Sequence, residues 1–373
     1  MKTWDVIISG GGPVGLVTAI AARQQGLSAL VLERSPSLPI KACGEGLMPR
    51  AVAVLDQLGV PLDDAREFRG IRFVDGATTA EASFRGRRGR ALGREALMQR
   101  LEHRARELGV ELCTGHTLRD FAYGGGLVRA RVSSSTAGAL DCTGRLLVGA
   151  DGLRSPTRRR LGYELPARQP ERFGSQRHYQ CAPWSDWVEV HWHARAEAYV
   201  TPLGSDRVGV AVLSHGRAPA PQEWAQLFPE LTERLGSAPA GRLRGAGPLE
   251  QRVRGVLAPG VALVGDAAGY LDALSGEGLA LGFGSALALI HRFASAELWR
   301  YPRDHRRITA SYYRMTRLLL CFARRPRARA FAVRFLSRHP RVFSALLSAS
   351  SEGAWADSRG LVADGFARSG RDE

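Results

Sequence analysis

Trp4-Asp5-Val6-Ile7-Ile8-Ser9-Gly10-Gly11-Gly12-Pro13-Val14-Gly15 opens the chain's first recognisable unit. Trp4–Ser9 is a short apolar run of strand character, Leu16–Gln25 is rich in alanine and other helix formers, and Gly26 stands where a helix C-cap favours glycine. Ala29–Leu32 is a second apolar run, closed by Glu33 and Arg34. Strand, glycine turn, helix and strand within about 30 residues make a βαβ unit, the frame in which Gly10-x-Gly12-x-x-Gly15 acquires a physical meaning. The first glycine permits a tight turn, the second lets backbone approach a pyrophosphate, and the third lets helix and strand pack closely. Pro13 and Val14 complete the phosphate loop and open the helix, whose free N–H groups and positive dipole end suit an anion. Glu33, 18 residues past Gly15, can accept both ribose hydroxyls and would repel a 2′-phosphate. The unit therefore reads as a site for a dinucleotide of the FAD or NAD kind, with Arg34 beside it.

The chain has 373 residues, 45% hydrophobic and 24% charged, an ordinary globular balance that excludes a disordered chain and predicts two or three domains. No run of about 18 apolar residues is present, so no bilayer-spanning helix is expected. Met1–Asp5 leads straight into the glycine turn without a small-residue cleavage site, which predicts no signal peptide and a cytoplasmic protein. The five cysteines are scattered and odd in number, neither a disulfide framework nor a zinc pattern.

The formal charge of +16 is unevenly spread. Lysine occurs only at Lys2 and Lys41, and the arginine bias reads more as codon habit than as a binding code. Between Arg300 and Arg341 there are 13 arginines and one acid, Asp304. This tail has three readings. It is a solvated helical cap; an interfacial anchor with Leu318, Leu319, Leu320, Phe322, Phe331, Val333, Phe335 and Leu336 toward lipid; or a dock for an acidic partner such as an acyl carrier protein. Nucleic acid is not expected, because no recognised module accompanies the charge.

Further along, the pattern predicts helices over Met48–Leu58 and Glu95–Leu108, a hairpin within Phe68–Phe84, and a basic turn over Arg85–Arg90. Short strands are expected at Val110–Cys113, Leu118–Tyr123, Leu127–Val132, Leu140–Cys142 and, centrally, Leu146–Ala150. Strands recur between Trp184 and Leu213, Ala218–Gly241 reads as mostly helical, and Val261–Val264 as a buried strand. A long helix is expected over Leu279–Trp299, then a helical tail broken at Pro326 and Pro340, with the last twenty or so residues frayed.

Two more turns carry chemistry. Val261–Val264 runs into Gly265-Asp266, where a carboxylate can hold a polyhydroxy chain such as the FAD ribityl, and Ser275-Gly276-Glu277-Gly278 then precedes a helix. Glycine at 276 and 278 lets backbone lie against a flat ring, and the helix N-terminus would stabilise negative charge on it. The third turn, Gly149-Ala150-Asp151-Gly152, also follows a strand; Asp151 can tie loop backbone together, while Arg154 and Arg158 supply positive charge.

These three turns, in this order, resemble the para-hydroxybenzoate-hydroxylase-like flavoprotein superfamily. The resemblance covers roughly residues 3–300 and implies an α/β (α+β) protein. Its expected parts are a Rossmann-like GR2-type FAD-binding domain of residues 1–65, 91–167 and 251–300, an inserted mixed β-sheet substrate domain of 66–90 and 168–250, and a helical Arg-rich C-terminal extension of 301–373. It implies FAD at Gly10/Gly12/Gly15 with Glu33, the ribityl at Gly265-Asp266, an FAD- and NAD(P)H-linked role for Asp151-Gly152, and an FAD contact at Arg94.

Two branches of the superfamily compete. Cys43-Gly44-Glu45-Gly46 and Leu274-Ser275-Gly276-Glu277-Gly278 look like geranylgeranyl reductases, which act on isoprenoid or polyene double bonds. Yet Lys41-Ala42-Cys43-Gly44-Glu45 departs from that branch's Tyr-x-Cys-Gly-Gly motif. The chain also resembles bacterial hydroxylases of polyketide and phenolic-lipid pathways, the favoured reading. Flavin halogenases fit less well, since Trp184-Ser185-Asp186-Trp187 does not match their motif. A flavin-binding accessory protein is the non-enzymatic rival.

The hydroxylase reading implies NADPH or NADH and O₂ as co-substrates. It also implies a flavin C4a-hydroperoxide and an aromatic or polyketide-derived lipophilic substrate, within secondary metabolism. The substrate wall is expected between Gln176 and Leu213. There Trp187, Glu189, His191 and His193 share one strand face and Val188, Val190 and Trp192 the other. His191 or His193 is a candidate for assisting phenol deprotonation, with His178, Tyr179 and Tyr199 alongside, or else a solvent-side strand residue. Cys43 is a pocket candidate, as a small packing residue or a redox thiol.

Overall fold

The computed structural model describes residues 2–86, 88–134, 138–236 and 239–352. The expected frayed terminus lies outside the described residues. Two sheets, and the helices packed on them, frame one cavity.

The first sheet runs in the order Leu257–Ala258, Val261–Leu263, Gly138–Gly149, Thr3–Ser9, Ala29–Glu33, Glu111–Thr114. All neighbours are parallel except the antiparallel edge strand Leu257–Ala258. Thr3–Ser9 shows why: it is buried on both faces, and its residues are shared between two cores. Val6 and Ile8 join Val31, Leu146 and Val148 beneath the helices Pro13–Gln24, Arg94–Glu107 and Gly278–Ala294. Trp4 and Ile7 join Leu30, Leu32 and Leu147 on the opposite face, under the antiparallel strands His116–Gly124 and Leu127–Ser134. This is a Rossmann-like arrangement, with the glycine turn at the carboxyl end of its first strand.

The second sheet runs Pro239–Ala246, Arg172–Tyr179, Arg207–His215, Ala196–Leu203, Val188–Trp192, Gly70–Asp75, Thr78–Ser83. The hairpin Gly70–Ser83 is thus placed edge-on against strands more than 100 residues later, through a parallel pairing of Gly70–Asp75 with Val188–Trp192. One face packs Ala198, Val200, Val210 and Val212 against two short helices, Pro221–Leu227 and Pro229–Leu235. The other carries Val188, Val190 and Trp192 toward three C-terminal helices, Tyr301–Ala323, Pro326–Arg338 and Pro340–Glu352. Pro326 and Pro340 stand at the first turns of the second and third of these, where a missing N–H costs nothing.

Several expectations change. Leu140–Cys142 and Leu146–Ala150 are parts of one strand, Gly138–Gly149, antiparallel to Leu127–Ser134 in its first half and parallel to Thr3–Ser9 in its second. Gly144, at the crossing, leaves no room for a side chain against Ile7. Ala218–Gly241 is two short helices cut at Pro229, and its end belongs to the edge strand Pro239–Ala246. Gly89–Ala91, at the end of the expected basic turn, forms a short strand against Arg66–Phe68 and Gly46–Leu47. The helix expected to reach Trp299 stops at Ala294, and Ala296 takes a positive φ of 56°. Ion pairs from Arg292 to Glu297 and to Asp304 fold the chain back there, leaving Trp299 exposed.

Candidate active site

A cavity of about 850 Å³ lies between the two sheets and runs from the glycine turn to the C-terminal helices. Its cofactor end is built by steric necessity. Gly10 sits at φ +113°, and a Cβ there would stand 2.5 Å from the Ala150 carbonyl oxygen; a Cβ on Gly15 would stand 1.9 Å from the Gly10 oxygen. Gly12, in contrast, meets nothing within 4 Å and lines the cavity with Pro13 and Val14. The turn is packed tight behind and left open in front, which is the shape a pyrophosphate cradle requires.

Glu33 is buried behind this turn. One oxygen accepts from the Gly11 N–H at 2.8 Å and the other from the Ser35 N–H at 2.9 Å. Each oxygen keeps a further lone pair for a ribose hydroxyl. Arg34 and Arg94 line the cavity, Arg94 at the start of its helix. Asp151 accepts from the Thr157 N–H at 3.0 Å and the Thr157 hydroxyl at 2.7 Å, tying its loop as its type suggests, while its Oδ1 is buried without a hydrogen bond. Gly152 sits at φ +79° beside Lys41. Arg154 and Arg158 part company. Arg154 lines the cavity, whereas Arg158 is fully buried and donates to the Leu153 carbonyl, Gln251 and Glu164.

Gly265, Asp266, Gly276 and Gly278 line the same cavity, and Gly265 packs against Val14 of the glycine turn, where an added Cβ would stand 3.1 Å from that side chain. Burial pushes the Asp266 carboxyl above its usual range, against the nearby charges of Lys41, Arg94 and Arg158. A polyhydroxy chain would supply the donors that such a carboxylate lacks. Glu277 sits behind its two glycines at the N-cap of Gly278–Ala294; neither carboxylate oxygen has a hydrogen bond. Its burial, opposed by Arg50, raises it to about 7. These residues fit a flavin dinucleotide: an open phosphate turn, a buried acid, Glu33, behind it with lone pairs to spare, and a second buried acid, Asp266, on the cavity wall. Bound there, FAD would supply the redox and oxygen chemistry, and the chain would supply position and a dry wall.

The substrate end corrects the histidine expectation. Val188, Val190 and Trp192 line the cavity, so Glu189 and His191 point to the other face of the sheet. There His191 shares a 3.0 Å hydrogen bond with Glu189, which also takes Arg72 at 2.8 Å and the Trp184 indole N–H. Burial alone would raise Glu189, but these partners hold its carboxyl at about 2. His193 packs its ring on Phe228, and Tyr179 lies against Trp224 in the other core. The physical reason is that both strand faces are covered, and the apolar one was free to face a lipophilic cavity. Tyr199 does line the cavity, yet its hydroxyl donates to the Leu274 carbonyl at 3.0 Å, and burial holds it well above the usual tyrosine range. Cys43 lines the cavity and accepts from the Glu45 N–H at 3.2 Å.

Two features went unseen in the sequence. The first is Glu45, a non-glycine residue at φ +60°, a backbone state costing about 1–2 kcal/mol. Its buried carboxylate accepts from the Arg94 N–H at 2.9 Å and from Gln176 at 3.2 Å, and shares a 2.6 Å hydrogen bond with His178. The second is the tail. Of the residues expected to face lipid, Leu318, Leu319, Phe322, Val333 and Leu336 line the cavity and Leu320 is buried; Phe331 and Phe335 face outward. The i, i+3, i+4, i+7 spacing of Met315, Leu318, Leu319 and Phe322 was the available signal, and all four residues line the cavity.

Comparison with known proteins agrees with this geometry. Residues 3–300 match the FAD binding domain family. The chain is 31% identical to a menaquinone reductase of Mycobacterium tuberculosis over 86% of its own length and 85% of that protein's. It is 34% identical to a 6-methylpretetramide 4-monooxygenase of Streptomyces rimosus over 42% of this chain and 40% of that one. Its fold superposes on the anhydrotetracycline hydroxylase structure of the same organism with a TM-score of 0.76 and 24% identity, covering 94% of this chain and 76% of that one. The chain belongs to the FAD binding domain family, within the superfamily of FAD-dependent monooxygenases and geranylgeranyl reductases, and is an FAD-dependent oxidoreductase.

Proposed function

We propose that the protein is a monooxygenase that uses FAD, O₂ and NADPH or NADH to hydroxylate an aromatic, phenolic or polyketide-derived lipophilic substrate in secondary metabolism. The observation that carries this reading is the continuity of the cavity: the same space touches Gly12 and Asp266 at one end and Phe73, Trp192, Phe322 and Phe343 at the other. A lipophilic ring held by those side chains lies next to the cofactor and away from water, as oxygen transfer to a ring demands. The 6-methylpretetramide 4-monooxygenase among its relatives supports this reading. When bound and reduced, the flavin supplies activated oxygen. The chain's own residues hold the ring, exclude water and manage the substrate's proton.

The test is incorporation of label. Purified holoenzyme with NADPH or NADH, ¹⁸O₂ and a panel of alkylphenols should yield a product heavier by one labelled oxygen atom. Uncoupled oxidation of the reduced cofactor, giving only hydrogen peroxide across the panel, would refute it.

A second reading, reduction of an isoprenoid or polyene double bond, is favoured by the longer match to the menaquinone reductase. It predicts turnover without O₂, with dithionite as reductant, and a product that gains two hydrogens.

A further inference from the structure

We infer that Glu277 is a redox-linked proton site: its carboxylate takes up a proton when FAD held in the cavity is reduced and gives it back on oxidation. This depends on FAD lying against Gly276 and Gly278 and not on which substrate follows, so it stands apart from the hydroxylation reading.

Gly276 and Gly278 both line the cavity, and Glu277 between them is 3% exposed. It stands at the N-cap of Gly278–Ala294, where a side-chain oxygen ordinarily accepts from first-turn N–H groups. It makes no such bond, and both its carboxylate oxygens are buried without a hydrogen bond. Gly278 and Leu279 of that uncapped turn line the cavity instead. The acid is therefore neither a cap nor a member of a hydrogen-bonded pair. It sits one residue behind the cofactor wall, where its charge and any charge on the ring are felt across a medium of low dielectric.

The groups packed around it leave it able to titrate. The helix Pro49–Gln57 brings Arg50, whose charge opposes burial without cancelling it, so the carboxyl stands at about 7. The helix Pro13–Gln24 has one charged residue, Arg23, at its far end on the Leu108 carbonyl. The turn Gly265–Ala268 brings Asp266, on which Lys41, Arg94 and Arg158 act. In the loop that follows, Asp272 is paired with Arg172, and the Tyr270 ring packs on Gly278. The helix Tyr301–Ala323 brings His305, Tyr312 and Tyr313, which burial keeps neutral: His305 is lowered to about 4 and both tyrosines are raised. At the other end of Gly278–Ala294, Arg300 pairs with Glu297.

The transfer balances with dithionite as reductant, which delivers two electrons as it passes to sulfite. One proton from water goes to the reduced ring, and a second forms an O–H bond on the Glu277 carboxylate; reoxidation returns both. Negative charge on the reduced ring raises the carboxyl further. Between its values in the oxidised and the reduced protein, the couple takes two protons for two electrons; outside that window it takes one.

Midpoint potentials of the FAD-loaded enzyme, set by equilibration with redox dyes under nitrogen across a pH series, test this. Each pH unit is a tenfold change in proton activity, and one proton per two electrons then gives a slope of about 30 mV. The wild type should steepen to about twice that slope above about pH 7 and relax again at higher pH. E277Q should keep the single-proton slope throughout. It should match the wild type below this window and, above it, favour the reduced form by about tenfold more. Flavin content and thermal melting of E277Q provide the folding control. If E277Q does not hold FAD, the reduced-minus-oxidised infrared spectrum of the wild type within the window decides. A protonated-carboxyl band gained on reduction and shifted by ¹³C-labelled glutamate supports the site, and its absence overturns it. A single unbroken slope in the wild type also overturns it, as does a break that E277Q keeps, which would move the proton to Asp266. An enzyme that shows the break but incorporates no ¹⁸O leaves this site standing and removes the hydroxylation reading.

Discussion

Arg329 and Asp75 stand 254 positions apart in the chain, and both carboxylate oxygens of Asp75 lie 3.2 Å from guanidinium nitrogens of Arg329. The same guanidinium donates to the His193 carbonyl at 3.1 Å and lies beside the Trp192 ring. One buried side chain thus fastens the helix Pro326–Arg338 to the hairpin and to the strand end that form the cavity wall. Removing the acid leaves the arginine buried with its charge uncompensated, so Asp75→Ala should cost about 3–5 kcal/mol. Urea unfolding measures the loss, and faster chymotrypsin cleavage within the C-terminal helices should accompany it. Unchanged cleavage would show that the clasp does not hold the tail down.

Those helices also show where reading the sequence stopped. The glycine turn was legible because part of its constraint is local: a Cβ on Gly15 would stand 1.9 Å from the Gly10 oxygen five residues earlier, and only backbone is needed to explain it. The tail was not, because an amphipathic helix carries the same spacing whether its apolar side covers a lipid surface or the protein's own cavity. His191 misled for a related reason. Alternation separated the two faces of Val188–Trp192 correctly but could not say which face the cavity took, since both are covered. Glu45 was invisible as a site because its partners Gln176 and His178 lie 131 and 133 positions away, a pairing that only the tertiary fold creates.

The cofactor turn has a sharp prediction. Gly15→Ala places a methyl group where the Gly10 carbonyl oxygen already stands, so the turn must open. FAD affinity should fall by at least about tenfold, equivalent to about 1.4 kcal/mol, while the second sheet stays folded. Flavin fluorescence quenching measures the affinity and circular dichroism the fold. A variant that binds FAD like the wild type would displace this turn from the cofactor site.

The tail's place in the cavity can be tested through substrate size. Leu319 lines the cavity and is only half-buried, so Leu319→Trp adds bulk there without overfilling a sealed core. For a long-chain alkylphenol KM should rise about tenfold, whereas unsubstituted phenol should be affected little. Equal effects on both would place Leu319 away from the substrate's chain.

Glu277 yields a dependence on pH. Burial raises its carboxyl to about 7 from an ordinary 4.5, with Arg50 opposing the shift. Between those two values the native state holds a proton that the unfolded chain has released, so stability falls as pH rises through this window and levels off above it. The fall amounts to at most about 3 kcal/mol. Glu277→Gln keeps the shape but removes the ionisation, so its stability should stay flat across the same window. It should match the wild type near pH 4.5 and exceed it above pH 7. Guanidinium unfolding of the FAD-free protein at a series of pH values reads this directly. FAD must be left out of the titration, because its binding near Gly276 and Gly278 would add its own linkage to the curve. Parallel curves for the two proteins would mean that Glu277 remains charged when buried, compensated by Arg50.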